Sequence, residues 1–173
     1  MLTGEKIALT EVRPEDSETF YQWINNAQTV RFNNPWRPIP LANHDKWFGE
    51  LGDDPTRVVL AIRDLSTMSP LGLVQLFDIQ PINRSAELAI RVGDEADRGM
   101  GIGSEALRLA LAFAYVDLNL RRVWVRVFAS NRRAIRAYEK AGFEHEGSMR
   151  QAAWINGEYV DVVIMGCLLS LNT

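Results

Sequence analysis

A glycine-rich segment ahead of a predicted helix has the residue types and spacing of a phosphate-binding turn. It follows an alternating, strand-like run over Glu87–Val92 and precedes an apolar-periodic helix. Glycines at alternate positions remove side chains, so that backbone N–H groups can approach an anion closely. The N-terminus of the following helix also favours negative charge. The residues predicted to form this phosphate cradle are Arg98, Gly99, Met100, Gly101, Ile102, Gly103 and Ser104.

Two common phosphate loops do not fit this segment. A Walker loop requires a Lys directly after its last glycine, and no Lys follows here. A dinucleotide fingerprint that begins at Gly99 would need a third glycine where Ser104 stands. It would also need an acidic residue about 20 positions later, and residues 118–128 contain none. The pattern that remains is Arg-x-x-Gly-x-Gly.

Three further side chains are candidates for proton transfer. Tyr138 lies on the apolar face of a predicted helix, where a packing role and a chemical role are both open. Glu87 is a candidate base, and its alternative role is an ion pair with a neighbour such as Arg84 or Arg126. His44 is another candidate base, since an ordinary histidine titrates near neutral pH.

The glycine turn and the elements after it resemble the GNAT superfamily, the acetyl-CoA-dependent N-acetyltransferases. After the turn come a helix to about Val116 and a strand over Arg122–Phe128. The segment Asn131–Phe143 is similar to the superfamily element Asn-x-x-Ala-x-x-x-Tyr-x-x-x-Gly-Phe. The tail from Asn156 to Met165 is similar to the closing strand of one branch. That branch includes ribosomal-protein N-terminal, spermidine and pseudaminic-pathway amino-sugar acetyltransferases.

The resemblance implies how the site would work. Acetyl-CoA would be the co-substrate, Tyr138 the general acid beside its sulfur, and Glu87 the general base, often acting through water. It also implies coenzyme contacts at the glycine turn and at further residues. These further residues are Ile90, Val92, Asn131, Arg133 and Tyr138.

The first half of the chain is expected to select the acceptor, through Asn33, Trp36, His44 and Trp47. Polyamine enzymes of the superfamily carry an acidic pair where this chain has Asn33 and Asn34. Aromatic faces and arginine suit a sugar, nucleotide-sugar or peptide-like amine instead. We therefore expect direct acetyl transfer to a primary amine in a ternary complex, with a small amine or an amino sugar as acceptor. Spermidine or a ribosomal-protein N-terminus is an alternative acceptor, and a non-catalytic acyl-CoA sensor is an alternative class.

Composition limits the remaining possibilities. With 173 residues, 47% hydrophobic and 24% charged, the chain is expected to form one domain over 1–173. Residues 1–80 would be the acceptor half, and residues 81–173 the acetyl-CoA half. A net charge of −3 gives no electrostatic case for nucleic-acid binding. Cys167 is the single cysteine, and no residue spacing indicates a metal site.

No apolar run reaches the roughly 18 residues of a membrane span, so a cytoplasmic location is expected. The sequence does not define an oligomeric state, and the resemblance leaves a homodimer open. Alternating strand and helix patterns predict an α/β fold with a mixed sheet. The resemblance implies a mostly antiparallel sheet, splayed between its fourth and fifth strands and flanked by about four helices.

Overall fold

A computed structural model describes residues 1–30, 37–93 and 99–169. Eight strands of this part form one sheet in the order β1-β2-β3-β4-β5-β6-β8-β7. The strands are β1 Leu2–Thr3, β2 Ile7–Thr10, β3 Val58–Asp64, β4 Pro70–Gln80, β5 Ser85–Val92, β6 Arg122–Phe128, β7 Glu144–Ile155 and β8 Glu158–Leu168. The α-helices are α1 Ser17–Asn25, α2 Ala27–Val30, α3 Leu41–Gly49, α4 Ile102–Val116 and α5 Arg132–Lys140, and a 3₁₀ turn spans Pro14–Asp16.

The sheet divides at β5 and β6. These neighbours run parallel, whereas the other paired strands run antiparallel. Their pairing covers Ser85 to Glu87 against Arg122 to Trp124 and then stops. The rest of β5 and β6 diverges, which confirms the splayed, mostly antiparallel mixed sheet. The sequence-predicted fourth and fifth strands are β5 and β6, because the short β1 precedes the first predicted strand.

One face of the sheet packs against α4. Alanines on that helix, Ala106, Ala110 and Ala114, are fully buried, and their small side chains let the helix lie close to the strands. Leu88 of β5 belongs to the same apolar cluster, and Ile90 and Val92 pack against it. Because side chains alternate along a strand, Glu87, Ala89 and Arg91 of β5 face the other side.

That other face is partly covered by α1. Phe20 and Trp23 of α1 pack with Ala61 and Leu73 of the sheet. Trp23 reaches the end of β5 because Gly93 has no side chain. A Cβ on Gly93 would lie 2.1 Å from Trp23 Cε2. A glycine is therefore required where α1 meets the sheet.

A buried ion pair holds the start of α1 to the sheet. Arg63 Nη2 of β3 donates to Asp16 Oδ2 over 2.6 Å, and both side chains are 2% exposed. Arg63 Nε also donates to Thr10 Oγ1 of β2. Asp16 closes the 3₁₀ turn that begins at Pro14, since it accepts the backbone N–H of Arg13 over 2.8 Å. The pair thus connects the first helix to two strands.

Candidate active site

The glycine turn leads directly into α4. Gly99 and Gly101 have φ angles of 92° and 88°, a left-handed conformation that favours glycine. A Cβ at either position would meet no atom within 4 Å, so backbone conformation rather than space selects glycine there. Gly101 is the N-cap of α4. The first N–H groups of a helix have no intrahelical acceptor, so those at Ile102 and after it are available to an anion.

The turn lies at the end of β5. A Cβ on Gly103 would be 3.7 Å from Val92 Cγ2, so these two residues adjoin each other on the α4 side of the sheet. Met100 is exposed on the turn. Arg98, the predicted cation for a pyrophosphate, lies outside the described residues. Its role stays a prediction.

The divergence of β5 and β6 opens a cavity of about 540 Å³. Glu87, Ile90 and Tyr138 were predicted as site residues and all line it. Its remaining lining comes from β4, β5, β6 and the β7–β8 hairpin: Leu73, Gln75, Phe77, Leu88, Ala89, Arg91, Arg126, Phe128, Met149, Ala152, Ala153, Trp154 and Val162. The cavity thus connects the opening in the sheet with the face that carries Glu87.

Tyr138 reaches the cavity from α5. It is 6% exposed, and its ring packs on Phe143 with centroids 5.4 Å apart. Burial raises the pKa of Tyr138 to about 12, because the phenolate would lose hydration. At neutral pH the hydroxyl is therefore a protonated donor at the cavity wall. Tyr138 therefore both packs against Phe143 and lines the cavity.

Glu87 forms a two-point ion pair with Arg126 across the parallel strands. Arg126 Nε donates to one carboxylate oxygen over 2.8 Å, and Nη2 donates to the other over 2.9 Å. The Glu87 side chain is 8% exposed, whereas that of Arg126 is 50% exposed. The hydrogen bond to Glu87 raises the pKa of Arg126. Of the two ion-pair partners that the sequence suggested, Arg126 is the one used, while Arg84 binds Asn119 instead.

Asn131 caps α5. Its side-chain oxygen accepts the backbone N–H of Ala134 over 3.2 Å, as expected of an N-cap asparagine. Arg133 is exposed in the first turn of the same helix. Neither residue lines the cavity described above. Their coenzyme contacts stay predictions.

The predicted acceptor residues are in different environments. His44 is 2% exposed, and its Nε2 lies 3.0 Å from the backbone oxygen and 3.2 Å from Oγ of Ser17. Trp47 is half-buried against the ring of His44 and the α1 cluster. Both residues join α3 to α1 and are not part of the cavity lining. Asn33 and Trp36 lie outside the described residues.

The structure adds a charged residue that received no role from the sequence. Arg91 shares a face of β5 with Glu87, and the alternating strand pattern did indicate that placement. The pattern could not show which charges surround it.

Among residues 1–30, 37–93 and 99–169, no group of three or more His, Cys, Asp or Glu side chains could hold a metal ion. No helix in those ranges is long and apolar enough to cross a membrane.

A glycine turn at a helix start, next to a splayed sheet with a tyrosine in the opening, defines the class of protein. A family model described as an acetyltransferase (GNAT) domain matches residues 6–144. The chain belongs to this family and is an N-acetyltransferase. Acetyl-CoA is the co-substrate of the family.

Individual relatives extend over most of the chain. The spermidine N(1)-acetyltransferase of Escherichia coli (strain K12) is 29% identical over 167 residues, which cover 95% of this chain and 87% of that protein. A crystal structure of the spermidine N-acetyltransferase from Vibrio cholerae, in complex with CoA and spermine, superposes with a TM-score of 0.85 at 25% identity. The superposition covers 94% of this chain and 95% of the Vibrio cholerae chain. An uncharacterized prophage-derived N-acetyltransferase of Bacillus subtilis, YokL, is 28% identical over 169 residues, 95% of this chain and 90% of its own.

Proposed function

We propose that this protein transfers the acetyl group of acetyl-CoA to a primary amine by direct attack in a ternary complex. The observation that carries the proposal is the cavity at the β5–β6 opening, which has a protonated phenol in its wall. The amine nitrogen attacks the thioester carbonyl carbon and the carbon–sulfur bond breaks. The amine loses a proton and the thiolate gains one. Alignment of two bound reactants can contribute about 7–11 kcal/mol to such a step.

The coenzyme would bind on the α4 side. Its diphosphate would accept hydrogen bonds from the turn at residues 99–104, with Arg98, Asn131 and Arg133 as further contacts. The pantetheine arm would then pass along Ile90 and Val92 through the opening between β5 and β6. The coenzyme would therefore bind to residues 81–173 and the acceptor to residues 1–80. Both parts would belong to one domain over 1–173.

Tyr138 would stabilise the leaving thiolate. Its hydroxyl is neutral at physiological pH and lies in the cavity wall between the two halves of the sheet. Glu87 would accept the amine proton through a water molecule. Although Arg126 binds both of its oxygens, each carboxylate oxygen has a second lone pair that can accept from water. Arg126 would hold the carboxylate in place.

The proposal is tested by thiol release from acetyl-CoA with a panel of primary amines. We expect turnover with at least one amine and binding of acetyl-CoA by calorimetry. Gly101→Ala should weaken acetyl-CoA binding, because alanine is strained at a φ of 88°. Gly147→Ala is the matched control, since Gly147 has no positive φ and a Cβ there would meet nothing within 4 Å. Binding without turnover over the whole panel would favour an acyl-CoA sensor instead.

A second experiment assigns the base. Glu87→Gln should remove the pH-dependent rise of kcat/KM if Glu87 accepts the amine proton, and His44→Ala should leave that profile unchanged. The opposite result would assign the base to His44. Because His44 is buried against Ser17, thermal unfolding of both variants must accompany the kinetics.

Spermidine is the second candidate acceptor, favoured by the relatives that act on it. It belongs in the amine panel beside amino sugars and a peptide N-terminus. If spermidine has the highest kcat/KM, the polyamine assignment replaces a small amine or amino sugar as the acceptor.

A further inference from the structure

Arg91 is a half-buried cation in the cavity wall that has no ion-pair partner among the described residues. Its Nε is buried and has no hydrogen-bond partner there. Arg57 Nε is buried in the same way, but a carboxylate oxygen of Asp54 lies 3.9 Å from it. No ion pair of this kind is found for Arg91 in the described ranges. Burial lowers the pKa of Arg91, although an arginine stays protonated at neutral pH.

The charges of the described cavity lining do not balance. Glu87, Arg91 and Arg126 are its charged residues. Glu87 and Arg126 neutralise each other through two hydrogen bonds. Arg91 therefore leaves a formal excess of one positive charge in the described wall.

Arg91 faces away from the glycine turn. Its neighbour Val92 adjoins Gly103 on the α4 side, so alternation along β5 directs Arg91 to the opposite side. There it lies on the same face as its cross-strand partner Leu73, which packs with α1. In the proposed function the acceptor binds to the half over 1–80, which includes α1. The charge of Arg91 is therefore not explained by the coenzyme diphosphate.

We infer that Arg91 binds an anionic group of the acceptor, so that the preferred substrate is a compact primary amine that also carries a carboxylate or a phosphate. This inference rests on the proposed function. A guanidinium presents paired N–H donors that match either anion. Glu87 and Arg91 are four residues apart on β5, which separates their Cα atoms by roughly 13 Å. That spacing suits an acceptor whose amine and anion are a few bonds apart.

The inference is tested with amines of similar size and different charge. The anionic members are γ-aminobutyrate and phosphoethanolamine, the neutral member is aminobutanol, and the cationic members are putrescine and spermidine. We expect kcat/KM to be highest for an anionic member, and comparison of the two anions separates carboxylate from phosphate. A value for putrescine or spermidine that equals or exceeds both anionic values would overturn the inference.

Substitution of Arg91 gives the second test. Arg91→Met should lower kcat/KM for the preferred anionic amine by about 10- to 100-fold, mainly through KM, and should leave aminobutanol nearly unchanged. Arg91→Lys should restore part of the loss. Arg108→Met is the control, since Arg108 is exposed on α4. Equal losses for anionic and neutral amines would overturn the inference, and so would no loss for either.

Failure of the inference and failure of the proposed function have different signatures. Turnover without an anionic preference rejects the role of Arg91 alone. Absence of turnover with every amine rejects the proposed function, and calorimetry on the CoA complex then decides the inference. Binding of an anionic amine that weakens at least 10-fold in Arg91→Met would support it, and absence of such binding would overturn it.

Discussion

Tyr138→Phe removes one oxygen atom and leaves the packing of the ring intact. The ring keeps its contact with Phe143 at 5.4 Å between centroids. The raised pKa of the hydroxyl comes from burial rather than from a hydrogen bond within the described residues. The substitution should therefore leave the folding free energy nearly unchanged. Any loss of activity would then report on the chemistry of the hydroxyl group.

The size of that loss follows from the raised pKa of about 12 for Tyr138. A thiol of the cysteine type has a pKa of about 8.5, so complete proton transfer from this phenol to the thiolate is uphill by roughly 3.5 pKa units. That difference corresponds to about 5 kcal/mol. Hydrogen-bond donation to the thiolate avoids this cost and contributes about 1.5–3 kcal/mol. We therefore expect kcat to fall about 10- to 150-fold in Tyr138→Phe.

Steady-state kinetics with acetyl-CoA and the best amine measure this change. The acetyl-CoA dissociation constant should stay within about twofold, because in the proposed mechanism the hydroxyl acts on the thiolate and not on the diphosphate. The phenol stays protonated up to about pH 10, so the ratio of wild-type to variant kcat should be constant from about pH 6 to pH 10. Tyr159→Phe is the matched control, since Tyr159 is 65% exposed on β8. Wild-type kcat in Tyr138→Phe would refute the reasoning, and so would a ratio that declines above about pH 8.

Three predictions concern the free energy of unfolding. Asp16→Asn and Arg63→Met should each lower it by about 3–5 kcal/mol, because each leaves a buried polar partner unsatisfied, and the double substitution should cost less than their sum in urea unfolding. Asn131→Ala should lower it by about 1 kcal/mol in thermal unfolding, whereas Asn131→Asp keeps the cap to Ala134. Arg91→Met should raise it by about 1 kcal/mol, or roughly 2–4 °C, by removing a buried N–H donor that has no partner within the ranges 1–30, 37–93 and 99–169, and a lower melting temperature would contradict this.

Local patterns in the sequence were sufficient to predict the glycine turn and the start of the helix that follows it. The glycine spacing at 99–103 predicted a turn before a helix, and the two positive φ angles confirm why glycine is used there. Asparagine is a residue type typical of a helix N-cap, and Asn131 forms such a cap at the start of α5. These features depend on residues close together in the chain, so spacing and residue type carry most of the information.

Tertiary structure decided which long-range partners each side chain has. The sequence left Glu87 with either Arg84 or Arg126, and only the parallel pairing of β5 with β6 brings Arg126 within hydrogen-bond distance. It made His44 a candidate base, but the packing of α3 on α1 buries its ring against Ser17.

Arg91 shows the same division between sequence and tertiary structure. Alternation along β5 places it on the same face as Glu87. That Arg91 has no ion-pair partner among the described residues becomes visible only when strands far apart in sequence form one cavity wall. Residue type and spacing determine which groups can react. The neighbours that neutralise, bury or orient those groups are set by strand pairing and helix packing over the whole chain.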